Sequence, residues 1–334
     1  MITIGVFGFG YWGPNLVRNF FNTEGCTVKR VVDLNPDRVK KAKQMYPSLE
    51  VSTDAETIIN DTGIDAVVIA LPVSFHYDIA RRSLLAGKHV LLEKPMTRLK
   101  SEAQELIDIA SSKGKVLMVD HTFLYTGAVN KIKEIVQSGE LGDIRYFDST
   151  RINLGLFQSD INVVWDLAPH DISILMHLTD EYPHSVIATG VSHTGNNLEN
   201  IAYLTLNFQS NMVAHFTSSW TSPVKIRQIL IGGTKKMIVF DDVEPTEKVK
   251  VYDTGFEVRN EEEKNKMLVD YRVGDIYIPK LENKEALKGV AEDFTAAIRD
   301  GREPVSTWKS GLEVVSILEA AETSIKNRGK EIVL

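Results

Sequence analysis

The sequence predicts an α/β chain with a doubly wound parallel sheet, followed by an α+β part built on a large, mainly antiparallel, open-faced sheet. Residues 1–120 alternate short, wholly apolar runs with amphipathic segments of helical period. That alternation is typical of a parallel sheet covered by helices on both faces. From 121 to 284 the strand-like runs alternate polar and apolar residues, which indicates an antiparallel sheet with one buried face. Residues 285–334 return to helix.

The predicted elements follow in chain order. In the first part, strands are predicted over 2–8, 26–33, 65–71, 89–94 and 115–120, and helices over 12–23, 36–46, 54–60, 74–87 and 98–113. In the second part, a helix over 127–138 precedes strands over 143–152, 185–191, 201–208, 212–220, 226–233 and 236–240, and the segment 165–178 interrupts them as a helix. The last part is helical over 285–326, where Gly301 and Pro304 break the helix in two. The charged run 261–264 is predicted to be a solvated loop.

Composition excludes several classes of protein. The chain has 334 residues, 43% hydrophobic and 25% charged, which is average for a globular protein and allows two domains. A net charge of −7 with no long basic run argues against a nucleic-acid partner. Cys26 is the only cysteine, so neither an internal disulfide nor a cysteine-based zinc site can form. No apolar stretch approaches the ~20 residues that span a bilayer and no signal peptide is visible, so we expect a soluble, cytoplasmic protein without a membrane partner.

The first strand leads into a glycine pattern, Gly8-Phe9-Gly10-Tyr11-Trp12-Gly13. Gly8 permits the tight turn from strand to helix, Gly10 lets a pyrophosphate approach the backbone, and Gly13 lets helix and strand pack closely. The helix that follows presents free N–H groups to the phosphates. Asp33 lies at the tip of the next strand, where it would bind the ribose hydroxyls of a dinucleotide. The alternative is an ordinary glycine-rich turn with a helix-capping aspartate. The residues assigned to the dinucleotide here are Gly8, Gly10, Tyr11, Trp12, Gly13 and Asp33.

Asp33 favours NAD over NADP, because a carboxylate repels a 2′-phosphate. Arg38 could serve such a phosphate, although a surface arginine in the next helix explains it better. Ligands of doubly wound sheets bind beyond the carboxyl ends of the strands. Leu71 and Pro72 end one such strand and His76 begins the next helical segment, so these three residues are expected to line the cofactor. A residue on the helix face is an equally good account of His76.

Glu93-Lys94-Pro95 ends another strand at the same edge, so Glu93 and Lys94 are also assigned to the cofactor crevice. A lysine there is costly to bury unless charged partners or a substrate engage it. Pro95 favours an extended backbone at Lys94. The alternative, of equal weight from the sequence alone, is a strand-end lysine that reaches water.

Asp166 and His170 are four residues apart, about one helical turn, and can therefore share one face of a helix. A histidine can accept a hydroxyl proton near neutral pH. An aspartate on the same face can orient that ring or bind a neighbouring substrate hydroxyl. The alternative is a helix start that Asp166 caps, which the residues alone favour slightly.

Four further residues are candidate substrate contacts, and packing accounts equally well for each. His121 and Tyr125 follow the last strand of the first part. Arg151 and Asn153 lie on the first long strand of the antiparallel sheet. The remaining histidines lack acids at convergent spacing, so no metal site is predicted.

These motifs resemble those of the Gfo/Idh/MocA family, the NAD(P)-dependent sugar and cyclitol oxidoreductases, over nearly the whole chain. The family's E-K-P motif matches Glu93-Lys94-Pro95, and its D-x-G-x-H-type segment matches Asp166 to His170, with Ala168 where glycine is usual. The resemblance implies that Lys94 lies beside the nicotinamide and hydrogen-bonds the reacting hydroxyl, and that Asp166 and His170 are catalytic. An arginine that relatives often carry after the last strand of the first domain is absent here, and the segment 162–165 replaces a glycine-rich lead-in.

The resemblance is to members found with surface-polysaccharide genes, and it rests on the segments GYWGPNLVRNF, HTFLYTGAV and PVKIRQILIGGTKKMIVFDD. It implies hydride transfer between nicotinamide and a secondary alcohol of a sugar, with UDP-N-acetylglucosaminuronate oxidised at C3 as the specific expectation. An inositol or free-sugar dehydrogenase is the alternative, and a non-catalytic regulator that binds NAD and sugar is another.

The same resemblance implies how the chain is organised. A dinucleotide-binding Rossmann domain is expected over 1–120, and a substrate and oligomerisation domain over 121–284. The helices of 285–334 are expected to pack back toward the first domain. Because family members commonly associate through the open sheet face, a homodimer or homotetramer is expected.

Overall fold

A computed structural model of the chain describes residues 1–155, 157–158, 160–195, 197–257 and 270–334. By its internal contacts the chain divides into two compact units. The first unit comprises Met1–Thr126 and Lys284–Glu319, and the second comprises Gly127–Asn283 and Ala320–Leu334. The domain boundaries expected at 120 and 284 stay a prediction.

The first unit is built on a six-stranded parallel sheet. Its elements to the end of the sheet are β1 (Ile2–Phe7), α1 (Gly13–Phe21), β2 (Cys26–Val32), α2 (Pro36–Met45), β3 (Glu50–Ser52), α3 (Glu56–Ile59), β4 (Ala66–Ile69), α4 (His76–Leu85), β5 (His89–Glu93), α5 (Lys100–Lys113) and β6 (Leu117–Asp120). The strand order is β3-β2-β1-β4-β5-β6 and every neighbouring pair is parallel. Short 3-10 turns cover Val73–Phe75 and Thr122–Tyr125. The predicted doubly wound sheet is confirmed.

Apolar strands and local caps explain why this unit folds as it does. All four residues of β4 are buried, as expected for a central strand with helices on both faces. Helix α2 begins after Asn35, whose side chain accepts a hydrogen bond from the Asp37 amide at 2.9 Å. Helix α5 ends at Gly114, which adopts the left-handed conformation with φ +61°.

The second unit is built on a nine-stranded mixed sheet. Its elements are α6 (Gly127–Gln137), β7 (Ile144–Leu154), α7 (Val163–Leu178), β8 (Ser185–Val191), β9 (Ile201–Asn207), β10 (Val213–Ser219), β11 (Thr221–Gly233), β12 (Met237–Asp241), β13 (Val249–Tyr252), β14 (Gly255–Glu257), β15 (Asp270–Arg272), β16 (Ile276–Tyr277) and β17 (Ile332–Val333). The order is β16-β13-β12-β11-β7-β10-β9-β8-β17, in which β7 and β10 run parallel and the other neighbours antiparallel. Strands β14 and β15 form a separate pair. The predicted, mainly antiparallel sheet is confirmed.

One face of this sheet is buried and the other is more exposed. On β9, Ala202, Leu204 and Leu206 are buried, whereas Tyr203 between them is exposed. Helix α7 packs against β7, β9 and β10. The alternation along the strands therefore corresponds to a helix-covered face and an open face.

Two helices precede the final strand β17, namely α8 (Ala286–Asp300) and α9 (Trp308–Lys326). Helix α8 ends at Gly301, which is left-handed with φ +64°, and the predicted break at that position is present. No helix within the described ranges is long and apolar enough to cross a membrane.

Some short elements escaped the sequence prediction. Strands β3, β13, β14, β15, β16 and β17 have two to four residues each, too few for a period of two to stand out. Strand β11 begins at Thr221, five residues earlier than the predicted 226, because the polar and proline-containing segment before it still pairs with β7 at Leu154. The charged run predicted over 261–264 lies outside the described residues.

Candidate active site

The turn after β1 contains two positions, Gly8 and Gly13, at which the packing of the protein leaves no room for a side chain. Gly8 has φ +96°, and its amide donates to the Val32 carbonyl at 2.7 Å. A Cβ on Gly8 would lie 2.3 Å from the Ala70 carbonyl oxygen, and one on Gly13 would lie 2.2 Å from the Gly8 carbonyl oxygen. Both distances are far shorter than a van der Waals contact. A larger residue at either position would therefore displace the neighbouring backbone.

Gly10 differs from its two neighbours in the pattern. A Cβ there would meet nothing nearer than the Arg38 guanidinium, 3.5 Å away. The protein's own packing therefore tolerates a side chain at Gly10. The space above this residue is what a pyrophosphate needs to approach the backbone.

The N-terminus of α1 is suited to bind an anion. Trp12 precedes the helix without a side-chain cap, and the first turn contains no acidic residue. The free N–H groups and the positive end of the helix dipole are therefore not neutralised by the helix itself. Tyr11 and Trp12 are exposed and meet edge to face, with ring centroids 5.2 Å apart.

Asp33 lies at the tip of β2 and is nearly buried, with 5% of its surface exposed. Its Oδ2 accepts from the Phe9 amide at 2.7 Å and its Oδ1 from the Asn35 amide at 2.9 Å. The half-exposed Arg38 guanidinium lies 3.5 Å from Oδ2. Asp33 thus fixes the glycine turn, and each oxygen keeps lone-pair capacity for a ligand hydroxyl.

His76 connects the ends of two strands. It is buried, with Nε2 2.8 Å from the Leu71 carbonyl oxygen and Nδ1 2.9 Å from the Pro95 carbonyl oxygen. Burial lowers the pKa of His76, although both carbonyl contacts oppose the shift. Both ring nitrogens therefore face backbone, so His76 positions the half-buried Leu71 and the segment around Pro95, while Pro72 remains exposed.

The neighbouring strands β5 and β6 each end in an acidic residue. Glu93 stands opposite Asp120 in the parallel register, and both are buried. Lys94 follows Glu93 and is half-buried. Burial, together with the charge of Asp120, raises the pKa of Glu93 to about 8. Burial raises the pKa of Asp120 to about 6.

His121 and Tyr125 follow β6 and differ in their bonding. His121 is fully buried, and neither ring nitrogen has a hydrogen-bond partner in the described part of the chain. Burial and the charge of Lys94 lower its pKa to about 3, so the ring is neutral. The Tyr125 hydroxyl donates to Asp293 Oδ2 at 2.7 Å and accepts from the Ser306 amide at 3.2 Å. Tyr125 is therefore bonded within the first unit, whereas His121 keeps its bonding capacity for a ligand.

Asp166 and His170 lie on one half-buried face of α7 in the second unit. The helix is capped by Asn162, whose Oδ1 accepts from the amides of Val164 and Trp165 at 3.2 Å each. Asp166 lies in the first turn and does not cap the helix, so the capping alternative is wrong. Its shared face with His170 follows from their spacing of one turn.

The Asp166 carboxylate is held by a residue that the sequence analysis did not single out. Trp220 Nε1 donates to Asp166 Oδ2 at 2.9 Å. Trp220 is 1% exposed, and its ring centroid is 5.5 Å from that of Phe157. Trp220 lies between β10 and β11, where a single aromatic residue carries no periodic signal, so only the fold brings it to Asp166.

Arg151 is placed beneath α7 by a buried ion pair. Its Nε and Nη2 donate to the two carboxylate oxygens of Asp171 at 2.9 and 2.5 Å. Ser149 donates to the same carboxylate at 2.8 Å. Both charged residues are less than 5% exposed. Asn153 follows two residues later on the same face of β7 and is half-buried.

The strand order, the glycine turn and the acid at the tip of β2 together define a dinucleotide-binding fold. Residues 2–121 match the family model described as "Oxidoreductase family, NAD-binding Rossmann fold", and residues 129–239 match the GFO/IDH/MocA C-terminal domain. The chain belongs to the Gfo/Idh/MocA family of NAD(P)-dependent oxidoreductases, as its motifs predicted. Within the described ranges, no group of three His, Cys, Asp or Glu side chains is arranged to hold a metal ion.

Relatives of known sequence support the same class. An uncharacterized oxidoreductase of Schizosaccharomyces pombe is 36% identical over 157 residues, 42% of its own length. The uncharacterized oxidoreductase YdgJ of Escherichia coli is 24% identical and covers 98% of this chain and 97% of its own. The scyllo-inositol 2-dehydrogenase (NADP(+)) IolW of Bacillus subtilis is 26% identical over 70% of this chain and 63% of its own.

Solved structures share the fold over its whole length. The UDP-N-acetylglucosamine 3-dehydrogenase GnnA of Acidithiobacillus ferrooxidans superposes with a TM-score of 0.82, covering 98% of each chain at 22% identity. GenD2 from gentamicin A biosynthesis, solved with NAD, has a TM-score of 0.83 at 21% identity and covers 100% of this chain and 96% of its own. At these identities the likeness concerns the fold.

Gly10→Ala and Gly13→Ala should separate cofactor binding from folding. Gly10→Ala should keep the thermal midpoint of the wild type and weaken dinucleotide binding at least ~10-fold, because its methyl group fills only the space for the pyrophosphate. Gly13→Ala should lower the midpoint, because its Cβ would overlap the Gly8 carbonyl. Calorimetry and titration with NAD measure both. Equal effects of the two substitutions would contradict the assignment.

Arg151→Met should destabilise the second unit by about 3–5 kcal/mol, because it leaves the Asp171 carboxylate buried without its cation. The free energy of unfolding from denaturant titration measures the loss. The double variant Arg151→Met/Asp171→Leu should recover most of it, since both charges are then absent. A loss below ~1 kcal/mol in the single variant would show that the pair is not formed in solution.

Proposed function

We propose that the protein is an NAD-dependent dehydrogenase that acts on a secondary alcohol of a nucleotide sugar, with UDP-N-acetylglucosaminuronate oxidised at C3 as the specific substrate. The observation that carries the proposal is the face of α7, where Asp166 and His170 are one turn apart and the indole of Trp220 fixes Asp166. The fold shared with GnnA, a UDP-N-acetylglucosamine 3-dehydrogenase, supports the nucleotide-sugar class. The relative IolW favours an inositol as the second candidate substrate.

The proposed mechanism assigns one task to each side chain. His170 takes the hydroxyl proton as general base, and Asp166 positions His170 or binds a neighbouring hydroxyl. The ammonium group of Lys94 stabilises the alkoxide charge that develops on the substrate oxygen. The nicotinamide, when bound, supplies the acceptor for the hydride. In the direction of reduction the same groups act in reverse.

The cofactor contacts proposed for the first unit rest on the geometry of its sheet edge. The N-terminus of α1 and the space over Gly10 suit the pyrophosphate, and Asp33 suits the ribose hydroxyls. NAD is proposed over NADP because the Asp33 carboxylate would repel a 2′-phosphate. The orphan ring nitrogens of His121 suit a polar group of cofactor or substrate.

We also propose that the protein forms a homodimer or homotetramer through the open face of the nine-stranded sheet. Tyr146, Tyr203 and Val213 are exposed there, and the Tyr203 ring stacks on His215 with centroids 6.3 Å apart. Such an apolar face is favourable to cover. Tyr203→Glu should shift the mass measured by light scattering toward the monomer, with Glu24→Gln as the control. An unchanged mass would remove this face from the interface.

The experiment that tests the function follows absorbance at 340 nm with NAD and, separately, UDP-N-acetylglucosaminuronate, UDP-N-acetylglucosamine, inositol and free hexoses. We expect a rise with UDP-N-acetylglucosaminuronate. His170→Asn should lower turnover at least ~100-fold with little change in cofactor affinity, because only the proton acceptor is lost. Lys94→Ala should abolish turnover with cofactor binding retained.

Each other outcome of this assay has a distinct meaning. A near-wild-type rate for His170→Asn would remove that residue from the mechanism. A rise with inositol alone would favour the second substrate class. A flat trace with every substrate, and no NAD(H) released on denaturation, would overturn catalysis in favour of a regulator that binds NAD and sugar.

A further inference from the structure

Two buried acids at the ends of β5 and β6, Glu93 and Asp120, take no part in the proton transfer proposed above, although the sequence assigns Glu93 to the cofactor crevice. Glu93 is 9% exposed and Asp120 is 1% exposed. They are register partners on adjacent parallel strands, so their side chains project from the same face of the sheet, with backbones about 4.8 Å apart. Burying two neighbouring carboxyl groups away from water is unfavourable unless their charge is neutralised or paired.

Two buried carboxyl groups at paired positions on neighbouring strands cannot both ionise without a large cost. Asp120 Oδ1 accepts from the Thr122 hydroxyl at 2.7 Å, whereas the buried Oδ2 has no hydrogen-bond partner among the described residues. The pKa of Glu93 is raised by burial and by Asp120, and the pKa of Asp120 is raised by burial. At neutral pH the pair therefore holds one proton and one negative charge.

Lys94 is the charged group that interacts electrostatically with both acids. Its positive charge lowers the pKa of Glu93 and of Asp120 against the effect of burial. The neighbouring rings of His76 and His121 are buried, and burial lowers the pKa of each. The pKa of His121 falls to about 3, so that ring is neutral. His121 therefore adds no positive charge to this cluster at neutral pH.

The turn after β6 and helix α8 also add no net charge to this cluster. Tyr125, on the turn after β6, keeps its proton because burial and Asp293 raise its pKa. Asp293, on α8, is paired with Arg302 at 2.6 Å. The charge of Asp120 is therefore directed toward Lys94 and is not balanced by this second ion pair.

We propose that Glu93 and Asp120 form a proton-sharing acid pair that presents a single negative charge to Lys94. The proposal rests on the role given to Lys94 under the proposed function. Both acids act through Lys94 and are positioning residues. The shared proton makes the charge of the pair constant: when one acid is replaced by its amide, the other ionises in its place.

The pH dependence of stability tests the shared proton without any substrate. Because the folded-state pKa of Glu93 lies above its usual value, the folded protein retains a proton that the unfolded chain has released between about pH 5 and 8. Stability must therefore fall as the pH rises through that window. Glu93→Gln should raise the thermal midpoint relative to the wild type by at least about 3 °C at pH 8.5, and by little at pH 5.

Asp120→Asn should show the same direction of change, since the remaining acid ionises more easily without its neighbour. Glu24→Gln, an exposed acid with the same change in charge, is the matched control and should run parallel to the wild type. Parallel midpoint curves for the wild type, Glu93→Gln and Asp120→Asn would overturn the shared proton.

The effect on Lys94 is tested by its reaction with an amine-specific acetylating reagent, whose carbonyl carbon is attacked only by the neutral amine. Acetylation of the Lys94 peptide, quantified by mass spectrometry against exposed Lys113, should change less than about 2-fold in either single variant. In Glu93→Gln/Asp120→Asn it should rise about 10-fold, because no carboxylate then faces the ammonium group. Equal or additive changes in the three variants would overturn the proposal.

Turnover distinguishes failure of this proposal from failure of the proposed function. With an active wild type, each single variant should keep at least about a tenth of the rate, and the double variant should lose more than about 100-fold. If the double variant equals the product of the singles, the pair does not act through Lys94. If the wild type is inactive on every substrate, the dehydrogenase proposal fails, while the stability and acetylation results still decide whether the acid pair exists.

Discussion

Because hydrogen-bonded parallel strands all run one way, their carboxyl ends meet at a single edge, and that constraint places the candidate site residues of the first unit. The ends of β1, β4, β5 and β6 bring the glycine turn, Leu71, Lys94 and Asp120 to neighbouring positions. Helices on both faces remove water from this edge. A polar group there must then find a backbone partner, as His76 does, or share its charge, as Glu93 and Asp120 do.

In the second unit a helix, α7, positions the candidate site residues. Helix α7 is fixed at its start by the Asn162 cap and from below by the pair of Arg151 with Asp171. These contacts bury one side of the helix and leave Asp166 and His170 half-buried on another. Since Trp220 holds the Asp166 carboxylate, that carboxylate keeps a fixed position on the face that it shares with His170. Rigid support of this kind is what proton transfer at a defined atom requires.

How much the sequence predicts depends on whether a feature is local. The parallel sheet, its helices and the glycine turn are carried by runs of apolar residues and by single glycines, so the pattern predicts them. The edge strands β3, β16 and β17 are too short to show a period. Contacts such as Trp220 with Asp166 join residues 54 positions apart, and no spacing rule predicts them. Asp120 was within reach of prediction, because it ends a strand at the same edge as Glu93.

The buried acids of the two units differ in net charge. The difference distinguishes a structural ion pair, Asp171 with Arg151, from an acid pair that can exchange a proton, Glu93 with Asp120. Asp171 has a full partner in Arg151, with two hydrogen bonds, so this pair carries no net charge and fixes a helix. At the end of β5, two acids face one lysine, so charge and countercharge are unequal. One carboxyl must then keep a proton, and its pKa moves into the range near neutrality where side chains exchange protons with a substrate or with each other. An excess of one buried acid is thus what makes this edge responsive to pH.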